Sequence, residues 1–86
     1  MKTIWKYTLQ IMDRQTVLMP VESEILAVGN QFDNLVMWAL VDQDTQDKVR
    51  RDIEIIGTGH PIDEAIRIYI DTVLIGPLVW HVFERV

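Results

Sequence analysis

The segment GTGHPI, Gly57 to Ile62, sets two glycines, a threonine and one of the chain's two histidines beside a proline. Gly57 and Gly59 permit positive φ and a close backbone approach. Successive backbone N–H groups in such a turn form an anion-accepting nest. Thr58 adds a hydroxyl, and His60 adds an imidazole able to donate a hydrogen bond or carry charge. That chemistry suits a phosphate or a carboxylate. The segment lacks the lysine of G-x-x-x-x-G-K-[ST] and the third glycine of G-x-G-x-x-G. The competing reading is a glycine turn closed by Pro61.

Upstream, Arg50 and Arg51, with Lys48 nearby, form the one tight basic cluster. Arginine forks suit phosphate and carboxylate. As neighbours on a strand the two must face opposite sides, so one can line a pocket while the other is solvated. Pairing with an aspartate or glutamate across a strand is the plainer use. An extended chain from Arg51 to Gly57 spans roughly 20 Å. Arginine and turn therefore meet more readily across a two-fold axis than within one protomer. The candidate ligand-binding set is Arg50, Arg51, Gly57, Thr58, Gly59 and His60.

Other chemistry is thin. His60 and His81 lie far apart and have no cysteine partners, whereas a catalytic zinc site wants three protein ligands. His81 adjoins Trp80 on a strand and should point away from it, as an interface or internally satisfied histidine. Asp42, Asp44 and Asp47 in DQDTQD miss the glycine and glutamate of a calcium-binding loop. They read as a solvated turn. Ser23 is the one serine and has no nucleophile–base context. No catalytic residue, metal or cofactor is expected.

Elements of period two must position these residues. In TIWKYTLQI, Trp5, Tyr7, Leu9 and Ile11 alternate with Lys6, Thr8 and Gln10, the pattern of a half-buried strand. QTVLMP follows, with Val17 and Met19 inward and Pro20 ending it. SEILAVGNQ is a third strand, weakened at Gly29 and Asn30. LVMWALV is apolar on both faces, as in a central strand covered on both sides or at an interface. KVRRDIEIIG alternates Val49, Arg51, Ile53 and Ile55 with Arg50, Asp52, Glu54 and Ile56. Pro61, Asp63 and Glu64 suit the start of one short helical turn. Alternation returns in RIYIDTVL, and LVWHVFERV closes the chain after IGP. The pattern predicts a single all-β domain over residues 1–86, a compact antiparallel sandwich or small barrel of six to seven strands. The expected core is Trp5, Tyr7, Leu9, Met37 or Trp38, Ile53, Ile55, Trp80 and Val82.

The chain has 86 residues, no cysteine and a net charge of −5. Nonspecific binding to duplex nucleic acid needs a basic footprint that this balance does not supply. No apolar run is long enough to span a bilayer, and no signal segment is visible. A cytoplasmic protein is expected. A hydrophobic fraction of 49% is high for so short a chain, which favours self-association, most simply as a dimer.

The stretches IWKYTLQIMDRQTVLMP, EILAV, MWALVD, IIGTGHPI, YIDT and LVWHVFE together resemble a family of short, uncharacterised proteins from bacteriophages and bacteria. They cover most of the chain in order. The family carries no assigned catalytic residues. DEAIRI stands here in place of its usual polar, proline-rich turn after the histidine. The resemblance implies a small phage-type binding protein acting in a host cell. One expected mechanism sequesters a nucleotide-derived anionic immune signal in a pocket between protomers. Another covers a surface of a host defence protein. A third role is a virion or assembly component.

Overall fold

The computed structural model describes residues 1–86 and contains seven strands and no helix. They are β1 (Lys2–Thr8), β2 (Arg14–Pro20), β3 (Glu24–Gln31), β4 (Asn34–Asp42), β5 (Lys48–Gly57), β6 (Arg67–Ile75) and β7 (Leu78–Arg85). All pairings are antiparallel. Three strands form one sheet in the order β1-β4-β3, and four form the other in the order β2-β5-β7-β6. The two sheets face each other as a sandwich, and no barrel closes.

Along one seam the sheets are joined by side chains instead of a ladder. Asp71 on β6 accepts the Val28 N–H of β3 at 3.2 Å, and Asn30 on β3 donates to the Leu74 carbonyl of β6 at 3.1 Å. Both seam strands carry a bulge, between Ile25 and Ala27 on β3 and between Tyr69 and Asp71 on β6. A bulge adds local twist and ends regular pairing.

Two tight hairpins follow from local chemistry. Gly76, at φ 56°, precedes Pro77 between β6 and β7, as a two-residue turn with glycine first requires. Between β3 and β4 the tip is Phe32-Asp33, at φ 52° and 63°. Asn30 Oδ1 steadies it by accepting the Asp33 N–H at 2.8 Å.

Alternation holds on β1, β2 and the second half of β5, breaks at the bulges of β3 and β6, and gives way on β4 to burial of both faces; the centre of the core is aliphatic. Leu9, Met19, Val28, Leu35, Met37, Ala39, Val41, Ile53, Ile55, Val73 and Val82 form one buried cluster. Trp5, Tyr7 and Trp80 are only half-buried and flank it. Their rings sit opposite small or flexible partners: Trp5 faces Ala39, Tyr7 faces Met37 and Trp80 faces Gly57. Of Met37 and Trp38, it is Met37 that points inward. Trp38 lies on the outer face, where its ring covers Gly29; a Cβ there would approach it to 3.0 Å.

The helical turn expected after Pro61 does not form, and residues 58–66 run irregularly from β5 to β6. The Asp63 side chain accepts the Ala65 N–H at 3.0 Å. Such a local bond offers the backbone an alternative to helix.

The Tyr7 hydroxyl is buried with no hydrogen-bond partner, and burial raises the phenol above its ordinary pKa. A buried unpaired hydroxyl costs about 1–3 kcal/mol. Tyr7→Phe is therefore expected to raise the unfolding free energy by roughly 1 kcal/mol in urea titrations.

Candidate functional site

GTGHPI folds as a tight turn at one end of the sandwich. The His60 N–H donates to the Gly57 carbonyl at 3.1 Å, and Gly59 takes φ 86°. These are the marks of a turn that needs glycine at its third position. Gly57 is required for a different reason. A Cβ there would meet the His60 ring at 3.1 Å and the Trp80 ring at 3.2 Å. One glycine serves the backbone and the other makes room for two rings.

The amides are mostly engaged. Thr58 N–H donates to the Val79 carbonyl at 3.4 Å, and His60 N–H closes the turn. Gly59 N–H is left without an intramolecular partner, so the turn presents one free amide instead of a nest.

The side chains assemble more than the amides do. β5 pairs with β7 so that Ile56 lies opposite His81, and β7 pairs with β6 so that His81 lies opposite Thr72. Thr58 Oγ1 is 2.8 Å from His81 Nε2, and His81 Nδ1 is 3.1 Å from Thr72 Oγ1. Thr72 Oγ1 in turn is 2.7 Å from the Tyr69 hydroxyl. Hydroxyls donate or accept, so the chain Thr58–His81–Thr72–Tyr69 suits the neutral imidazole and the imidazolium alike. Above it opens a recess of about 250 Å³ lined by Thr58, Gly59, His60 and His81, with Ile56, Ile62 and Phe83 as apolar walls. No carboxylate lines it.

The arginines do not join this recess within one protomer. Arg51 points between the sheets and forms a fork to Glu84, with Nη2 to Oε1 at 2.9 Å and Nε to Oε2. Its Nη1 also donates to the Ser23 carbonyl at 2.9 Å. The Glu84 carboxylate holds Arg51 above its ordinary pKa. Arg50 faces the opposite side, exposed and without an ion pair. Cross-strand pairing thus accounts for Arg51. Gly57, Thr58, Gly59 and His60 stand together, and Arg50 and Arg51 stand apart from them.

Arg67 fixes the far end of the loop. Its Nε donates to Glu54 Oε1 at 2.7 Å, its Nη2 to Asp63 Oδ1 at 2.6 Å and its Nη1 to the Asp63 carbonyl at 2.9 Å. Its guanidinium lies 5.9 Å from the centre of the Phe83 ring. The loop is therefore clamped at Asp63 after leaving the turn at His60. No group of three or more His, Asp and Glu side chains is arranged to hold a metal, and no helix is long and apolar enough to cross a membrane.

His81, Thr72 and Tyr69 were not singled out as ligands from sequence. Their only local signal is alternation with Trp80, Val73 and Ile70. What makes them neighbours of Thr58 is the β5-β7-β6 strand order.

Fold and site together define a small antiparallel β-sandwich with a hydroxyl–imidazole recess at one end. The whole chain, residues 1–86, matches the model of a domain of unknown function, DUF7352, and the chain belongs to that family. No curated protein and no solved structure matches it.

Two outcomes test this geometry. Gly57→Ala is expected to displace the His60 and Trp80 rings while Gly59 keeps its turn, seen as shifted His60 ring and Trp80 indole resonances with an unchanged β-type circular dichroism spectrum. Acid is expected to release the loop. Asp63 is held below its ordinary value of 3.8, first by the Ala65 N–H and then by Arg67. A carboxylate lowered on folding stabilises fully above its unfolded pKa, and that stabilisation is lost as pH falls through the folded value. The Ala65 amide resonance should hold its position down to about pH 4 and move below it.

Proposed function

We propose that the protein is a non-catalytic binding protein that takes a small, acceptor-rich anionic ligand of the nucleotide-derived class at the GTGHPI recess. The observation that carries this reading is the Thr58–His81 contact at 2.8 Å within a recess that no carboxylate lines. In a chain of net charge −5, most of the surface repels an anion. Here the donors open to a ligand are the His60 imidazole, the Gly59 amide and, when it accepts from His81, the Thr58 hydroxyl; both His81 nitrogens are taken by Thr58 and Thr72. Phe83, Ile56 and Ile62 supply an apolar wall against which a base can lie. Charge-assisted hydrogen bonds of this kind contribute about 1.5–3 kcal/mol each.

Binding fits this arrangement better than catalysis. Thr58 and His81 have the spacing of a nucleophile and its base. His81 Nδ1, however, faces the Thr72 hydroxyl at 3.1 Å and not a carboxylate, so nothing stabilises an imidazolium formed by proton abstraction in the way an acidic third member does. In the bacteriophage setting that the sequence resemblance implies, the protein acts in the host cytoplasm and sequesters a nucleotide-derived immune signal before its receptor meets it.

Isothermal titration with cyclic mononucleotides, cyclic dinucleotides and inorganic phosphate tests the reading. At least one nucleotide is expected to bind the parent, and Thr58→Val or His81→Ala to weaken it at least tenfold, about 1.4 kcal/mol, with the fold unchanged. If no nucleotide binds, or both variants bind like the parent, the recess is not the site.

A further inference from the structure

The GTGHPI turn shares its end of the sandwich with three other connections. These are the link from Leu9 to Asp13, the Phe32-Asp33 tip and the Gly76-Pro77 tip. The Leu9 N–H bonds the Leu35 carbonyl beside the Phe32 tip at 2.8 Å, and Asn30 reaches the Leu74 carbonyl near Gly76 at 3.1 Å. Thr58 bonds Val79 just past Pro77.

Phe32 is the outlier of this end. Its side chain is 91% exposed and its backbone sits at φ 52°. A non-glycine residue is disfavoured in the left-handed region, asparagine less than others because its short polar side chain bonds locally. Two-residue tips with both φ positive favour Asn-Gly. Backbone and solvation both argue against phenylalanine here, yet the tip presents a full aromatic ring to solvent.

The same end holds a recess of about 340 Å³ under the inner side of the GTGHPI turn, lined by Trp80, Leu78, Pro77 and Val79 with His60 at its margin. Leu78 at its rim is 54% exposed. The projecting ring belongs to the sheet of β3 and β4, and the recess to the sheet of β6 and β7. A two-fold axis lying between the two layers sets each sheet's end against the other sheet of a second copy. Knob and hole on one patch are what a self-complementary interface requires.

Charge points to the same occupant. At the opposite end the carboxylates of Asp42 and Asp44 are already held by the N-terminal ammonium, at 3.2 and 2.7 Å, and offer a second copy no unpaired cation to match. At the recess end, Asp33 follows the projecting ring and His60 borders the hole, so a copy docked here brings its carboxylate beside an imidazole.

We infer that two copies of this chain associate through this end, with Phe32 of each seated in the Trp80–Leu78 recess of the other. The partner copy thereby completes the inner side of the GTGHPI turn, opposite the side assigned to ligand. The inference does not depend on the ligand: the dimer forms whether or not a nucleotide binds.

Sedimentation velocity of the full chain at roughly 5–200 µM, with urea unfolding in parallel, tests it. The parent is expected to shift from about 10 to 20 kDa across this range. Phe32→Asn should weaken association at least tenfold while leaving the monomer as stable as the parent or more so. Leu78→Glu should weaken association from the other side of the contact. Ile4→Glu, on the outer face of β1, should leave association intact. A parent that stays monomeric at the highest concentration overturns the inference. So does a Phe32→Asn variant that dimerises like the parent, or one whose monomer is less stable, since the ring would then be serving the fold.

Discussion

The pairing of β5 with β7 is the contact on which the candidate site depends. It joins segments more than twenty residues apart and sets Gly57 opposite Trp80 and Ile56 opposite His81. Without it Thr58 has no imidazole, and His60 has no ring to lie against. The pairing in turn depends on Ile53, Ile55 and Val82, whose burial holds the two strands against the other sheet. Core and site are thus two faces of the same strands: odd-numbered residues of β5 point inward to the core and to the Arg51–Glu84 fork, and even-numbered ones point outward toward the Arg14 and Arg67 pairs and the recess.

Charge is distributed to the same effect. Arg14 pairs with Asp52, Arg51 with Glu84, and Arg67 with Glu54 and Asp63, while Arg85 approaches Glu54 at 3.8 Å. These pairs consume both the cations that would attract an anion and many of the carboxylates that would repel one. The exposed Arg14–Asp52 pair contributes little to stability. The larger consequence of these pairs is positional. Arg67, only 9% exposed, ties the loop to β5 through Glu54 and Asp63 and so fixes where His60 and Ile62 emerge.

The aromatic residues mark the margins of the sandwich. A ring is too bulky for the centre of so thin a core, where Met37, Ile53 and Val82 interlock with no exposed surface. Tryptophans are placed instead where a neighbour leaves space: Trp5 over Ala39, Trp38 over Gly29 and Trp80 over Gly57. The Lys48 ammonium lies 5.5 Å from the Trp5 ring, which suits a half-exposed aromatic edge. Large-on-small pairing seats each ring against its neighbour and leaves its other side open.

Alternation alone identified the strands, because a side chain's face is a local property of extended backbone. It placed Ile53, Ile55 and Val82 inward, made Met37 or Trp38 the inward residue of the central strand, and set Arg50 and Arg51 on opposite faces. The glycines of GTGHPI likewise announced a turn. Alternation carries no information on which strand lies beside which. Strand order brought His81 and Thr72 to Thr58, set Glu84 within reach of Arg51, and left Arg50 and Arg51 away from the turn. The loop after Pro61 was undecidable locally, since its residues suit a helical start; Arg67 and Asp63 drew it into an irregular path. Sequence by itself determined the β class, the inward faces and the place of the turn, because these follow from single residues and their near neighbours. Only the tertiary structure decided which side chains share the recess, because contacts between distant strands depend on register, bulges and burial acting together.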